Sequence, residues 1–200
     1  TCTAVSFAHG SNDGQKGMGL IMLILVGVVP TAFALNRTPD PALLDQFRSS
    51  SAALVQTLGK YAEPSIIVAD PQAVVATAVR TKSWTPETTV AMGAFLTQLD
   101  DRMVDYKSLA NVPTDLVSNL RNDLYLVSEA LKLVDKKKQL AMDPADLKVV
   151  TSLHSAVDGA TRFIPSWVKV AVALSLGLGT MVGWRRIVVT VGEKIGKTHL

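Results

Sequence analysis

The strongest constraint on this chain is where its charges are missing. Met18 to Leu35 runs for 18 residues without a charged side chain, and Trp167 to Trp184 runs for another 18 with only Lys169. At 1.5 Å per residue, each stretch makes about 27 Å of helix, close to the hydrocarbon thickness of a bilayer. Tryptophans at both ends of the second stretch suit the membrane–water interface. Lys169, near one end, can extend its ammonium toward the headgroups. Pro30 would break the interior of a soluble helix, but a membrane helix tolerates proline when neighbours re-satisfy its backbone. Both stretches are therefore expected to span a membrane rather than to lie in a soluble core.

Between them the composition changes. Of the 37 charged residues, 29 fall between Asn36 and Pro165, with 14 Lys+Arg against 15 Asp+Glu. The overall 48% hydrophobic content and the mean hydropathy of +0.28 thus average two unlike parts. This partition excludes one soluble domain with an evenly spread core, and it excludes disorder, which needs low hydrophobicity and high net charge. A net charge of +3, dispersed along the chain, gives no footprint for nucleic acid. The chain begins at Thr1 in apolar sequence and ends at Leu200 within a basic stretch, so it reads as a portion of a longer polytopic protein. Its one cysteine, Cys2, has no internal disulfide partner and is expected to be a buried, inert thiol.

The middle reads as helices. Thr85-Pro86-Glu87 combines a hydroxyl N-cap with a first-turn proline, and Met92, Phe95, Leu96, Leu99, Met103 and Tyr106 follow at helical spacing. Pro113 opens a second helix whose stripe runs through Leu116, Leu120, Leu124, Val127, Leu131 and Val134, and Lys136-Lys137-Lys138 closes it. Asp143-Pro144 starts a third, carrying Leu147, Val150, Leu153 and Val157 towards the membrane. Prolines 39, 41, 64 and 71 make residues 36–83 look less regular, with one helix near Leu43 to Lys60. These stripes predict a small bundle core and not a cofactor site. Asp100-Asp101 with Asp105 reads as a solvated face, and the middle carries no metal-ligand spacing, phosphate loop or catalytic constellation.

Just before the first apolar stretch lies a polar cluster, His9-Gly10-Ser11-Asn12-Asp13-Gly14-Gln15-Lys16-Gly17. Glycines framing polar residues between apolar runs predict a discontinuous membrane helix, whose freed amides and half-helix end would make an anion site. A carboxylate at that depth is costly, so Asp13 should meet a cation, a proton or a hydrogen-bonding substrate. Lys16 would pair with Asp13 or with an anion. The alternative is an interfacial loop with no binding role.

The stretch Ser6-Phe-Ala-His-Gly-Ser-Asn-Asp-Gly-Gln-Lys-Gly-Met-Gly19 resembles the second signature repeat of the PiT-type inorganic phosphate transporters. The stretch from Gly179 through Trp184-Arg185-Arg186 to Gly196 is similar to the helix end and basic turn that follow in the same half of those proteins. The resemblance implies transmembrane transport of inorganic phosphate, free or as a metal–phosphate complex, by cation-coupled symport and not an enzymatic reaction. It implies Asn12 and Asp13 as ligands of substrate or coupling ion, with Gly10 and Ser11 contributing backbone, Gln15 and Lys16 beside them, and His9 as a proton relay. Where the commoner pattern carries a second asparagine, this chain has Lys16, which favours protons over sodium as the coupling ion. No further cofactor and no resident metal is implied, and a homodimer is compatible with the family.

The resulting expectation is an all-α polytopic membrane protein with a soluble helical-bundle insertion. Residues 1–35 form the signature-bearing broken transmembrane helix, 36–165 the insertion, 166–184 a transmembrane helix, and 185–200 a basic segment. Arg185, Arg186, Lys194 and Lys197 against Glu193 place that segment in the cytoplasm, and hence the insertion in the periplasm of a bacterial inner membrane. The competing reading is a membrane-anchored helical interaction module without transport activity.

Overall fold

The computed structural model describes residues 2–37 and 41–196, and among these it is helical with no strand. Two compact units emerge, one made of the two terminal helices and one of residues 28–163.

In the terminal unit, α1 spans Cys2–Val28 and α8 spans Ser166–Gly196. At their nearest approach Gly14 faces Leu176 and Gly17 faces Val172, so the two helices run antiparallel. Their large apolar side chains point outward: Phe7, Leu23, Val28, Met181 and Val182 are all at least 70% exposed. Such a surface needs apolar surroundings. Over Ser166–Arg185, α8 is long and apolar enough to cross a membrane, by length and composition. It continues beyond Trp184 as helix, so no turn occurs at Arg185. Lys197 and the side chain of Cys2 lie outside the described residues, and with them the expectation of a buried thiol.

The first apolar stretch differs from its reading as one span. α1 stops at Val28, Val29 leaves helical geometry at φ −131° and ψ 64°, and a four-residue turn of helix, α2 (Pro30–Phe33), follows. The physical reason is Pro30, which lacks an N–H for the ladder and disfavours helical geometry at the residue before it. Ala34 and Leu35, read as membrane residues, are buried at 0% and 1% exposure within the second unit. The second unit therefore begins eight residues before the expected boundary at Asn36.

That unit holds α3 (Pro41–Gly59), α4 (Pro71–Thr81), α5 (Pro86–Met103), a 3-10 turn at Leu109–Asn111, α6 (Val117–Asp135) and α7 (Pro144–Thr161). The packing is cyclic: α3 contacts α5, α5 contacts α4, α4 contacts α6, α6 contacts α7, and α7 returns to α3. Leu54, Val75, Phe95, Leu124 and Leu153, one from each helix, are essentially inaccessible in its core. Truncating a phenylalanine in such a site typically costs about 3–5 kcal/mol. The predicted stripes of α5, α6 and α7 form this core with three exceptions. Leu116 stays 41% exposed in the turn before α6, which starts at Val117 and not at Pro113. Tyr106 lies past the end of α5 and is half-buried, and Leu147 is half-buried on α7.

Helix α4 was not expected. Asp70 caps it by accepting from the Ala73 amide at 3.0 Å, and Pro71 occupies its first position. Prolines 41 and 71 are helix starts, not irregularities. Asp70-Pro71 carries the same signal as Thr85-Pro86 and Asp143-Pro144.

Candidate functional site

The polar cluster lies within α1, and the helix does not break there. Residues Gly10 to Gly17 are continuous α-helix, and no glycine among the described residues has a positive φ. The expected discontinuity is thus absent at the signature, and the interruption falls at Val29 instead. The glycines have another use. A Cβ on Gly17 would lie 3.3 Å from Val172 Cγ1, and one on Gly14 would lie 3.8 Å from Leu176 Cδ1. Missing side chains let α8 approach, the same use that small residues have between membrane helices.

A regular helix turns 100° per residue, and this sorts the candidate residues onto two faces. Gly10, Ser11, Gly14 and Gln15 line an open groove of about 880 Å³ against Val172, Leu176 and Thr180 of α8. His9, Asn12, Asp13 and Lys16 recur at intervals of three and four on the opposite face, and all four are exposed. The structure therefore does not bring the candidates into one site. Ser11 and Gln15 point to α8, whereas the acidic, amide, imidazole and ammonium groups point away from it. No ion pair forms between Asp13 and Lys16 among the described residues, so the expected local neutralisation is absent and both charges are presented outward. An isolated carboxylate and ammonium on one helix face can hold a proton or cation and an oxyanion respectively. That face requires a partner surface to complete it.

Among the described residues of the helical unit, the polar clusters tie helices together. Ser128 Oγ lies 3.3 Å from both His154 Nε2 and Asp158 Oδ1. A nucleophile triad places the carboxylate on the far nitrogen of the imidazole, so this arrangement is a packing network between α6 and α7. Arg162 Nε bonds Asp158 at 3.0 Å and extends it. Asp100, part of the acidic cluster, is paired with Arg48 at 2.9 Å. Two nearly buried carboxylates escaped the sequence reading. Asp146 receives Lys60 Nζ and Tyr61 Oη, both at 2.8 Å. Asp123 receives Gln72 Nε2 at 2.7 Å and Arg102 Nη1 at 2.9 Å, tying α4, α5 and α6 together. The Lys60 ammonium first, then the Tyr61 hydroxyl, hold the Asp146 carboxyl below the usual carboxylate value, and the same bond raises Lys60. No sequence pattern marks these pairs, whose members lie 21 to 86 positions apart.

α8, long and apolar enough to cross a membrane, and the exposed apolar side chains of α1 beside it mark the chain as part of a membrane protein. Within that class the chain belongs to the phosphate transporter family, whose sequence profile matches residues 1–200. It is 34% identical to the low-affinity inorganic phosphate transporter PitA of Escherichia coli strain K12, over 96% of this chain and 39% of that protein. It is 32% identical to PitB of the same strain, over 98% of this chain and 40% of the relative. A low-affinity inorganic phosphate transporter of Buchnera aphidicola from Acyrthosiphon pisum is also 32% identical, over 98% and 39% respectively. The chain thus spans about two fifths of the length of these relatives. No solved structure matches it.

Proposed function

We propose that the protein containing this chain is a multi-pass inner-membrane transporter that moves inorganic phosphate by cation-coupled symport, with protons as the coupling ion. The observation that carries this reading is the outward polar face of α1. His9, Asn12, Asp13 and Lys16 sit in the family's signature, on a helix whose other residues are largely apolar and outward-facing. The break at Val29 sharpens the placement. Only 11 residues from Met18 to Val28 remain on α1, about 16 Å of helix and half a bilayer. In this reading the span of α1 includes the signature, and Gln15 is the midpoint of its 27 residues. Asn12 and Asp13 then fall near the membrane midplane, where secondary transporters hold their cargo.

In this reading Asp13 takes the coupling proton and accepts from the protonated oxygen of phosphate, an anion that is partly protonated near neutral pH. Asn12 donates to another oxygen. Lys16 supplies the fixed positive charge that makes a second bound cation unnecessary, and His9, one turn before Asp13, passes the proton. Phosphate uptake by the full-length protein, in a strain without other uptake routes, tests the assignment. Asp13→Asn should abolish uptake while leaving the membrane level unchanged. Uptake equal to wild type would remove Asp13 from the mechanism, and wild-type uptake insensitive to a collapsed proton gradient would remove the coupling.

A further inference from the structure

The helical unit closes on itself where the chain enters and leaves it. Asn36 donates its backbone N–H to the Ala160 carbonyl at 2.8 Å and its side-chain amide to the Gly159 carbonyl at 3.3 Å. Positions 36 and 160 are thus adjacent, although 123 residues separate them in sequence. Arg37 reinforces the same neck: its guanidinium donates to Thr31 O at 3.1 Å, Ala110 O at 2.6 Å and Val112 O at 3.0 Å. One arginine so ties the incoming segment and α2 to the 3-10 turn. Leu43 packs within 3.3 Å of the position a Cβ on Gly159 would take, next to the two amide bonds.

The interior is as self-contained as the neck. Of the buried apolar residues described, all but Pro165, Val168 and Val172 lie between Ala34 and Ala160. The buried carboxylates Asp123 and Asp146 find their partners inside the same stretch. The five helices form a closed cycle of contacts. Domains whose two ends lie together are those that tolerate being inserted into, or removed from, another chain.

We infer that residues 28–163 are an autonomous accessory body, its bulk from 36 to 160 closed at a single neck, and that phosphate translocation does not use it. Because Asn36 and Ala160 are hydrogen-bonded neighbours, two to four Gly/Ser residues span the gap that removal of this bulk leaves. The substrate path is then built wholly from the membrane helices. This inference rests on the transport reading for its functional half and is independent of it for its structural half.

The experiment replaces residues 37–159 of the full-length protein with Gly-Ser-Gly and compares it with wild type. The expected result is the same monodisperse, detergent-extracted membrane protein, with phosphate uptake within about twofold of wild type per molecule inserted. A shortened protein that inserts as well as wild type but loses uptake tenfold or more overturns the inference. So does a shortened protein that aggregates, if a second version with a ten-residue bridge aggregates too. A wild type without uptake sinks the transport reading instead, and the structural half is then decided by limited proteolysis of the intact protein. Cuts at the exposed Val28–Val29 and Phe163 positions should release a body resistant to further digestion, and progressive degradation of that body would refute its autonomy.

Discussion

Asp146 shows how one residue couples the bundle to pH. Its carboxylate is nearly buried and keeps two donors, from Lys60 and Tyr61, at the end of α3. Because those bonds favour the ionised form, the folded carboxyl has the lower pKa, and the stabilisation is fully present above the unfolded value of about 4. It is lost as pH falls through the depressed folded value. Asp146→Asn should therefore lower the melting temperature at pH 7 and flatten its decline below about pH 4, as read by circular dichroism. An unchanged acid limb would show that other carboxylates set it. Sequence reading missed this site because burial and partners 85 or 86 positions away, not a motif, create it. Asp13 is the opposite case: its identity was legible from the signature, whereas the face it occupies was not.

Elements were legible where capping chemistry and apolar spacing agreed. α5, α6 and α7 follow their predicted stripes, and α3 lies close to its predicted position. α4 escapes the sequence reading although Asp70-Pro71 announces it, because the helix is only 11 residues long and prolines nearby suggest irregularity. Its cap has a measurable consequence: Asp70→Ala should destabilise the unit by about 1 kcal/mol in thermal or denaturant unfolding, against no change if the cap is dispensable. For α1 the glycines were read as points of rupture, whereas they are points of approach. A thiol cross-linker joining Gly14→Cys and Leu176→Cys should therefore react efficiently. Adding Gly17→Leu should suppress it, because Val172 Cγ1 already lies 3.3 Å from where a Cβ would stand. Equal cross-linking in both backgrounds would show that α8 does not approach through Gly17.

At the scale of the molecule, the chain divides into an outward-apolar helix pair and an inward-apolar bundle. The side on which the bundle sits is a question of charge. Arg185 and Arg186 follow the apolar part of α8, whereas the insertion is near neutral. Short basic flanks orient membrane proteins, and long loops translocate regardless of their charge. A reporter inserted at the exposed Lys137 should accordingly behave as periplasmic, with alkaline phosphatase active and a cytoplasmic fluorophore dark. The reverse pattern would invert the topology.

The sequence by itself determined the helical class, the polar signature, the family and the contrast between apolar ends and charged middle, because these rest on local spacing and composition. The tertiary structure decided three further matters. Ala34 and Leu35 serve the bundle, since burial depends on what lies nearby in space and not on the run that contains them. The signature divides between two faces of an unbroken helix, since only the position of α8 makes one face a groove. Asn36 and Ala160 meet, since closure of the five-helix cycle brings distant ends together in a way no local pattern records.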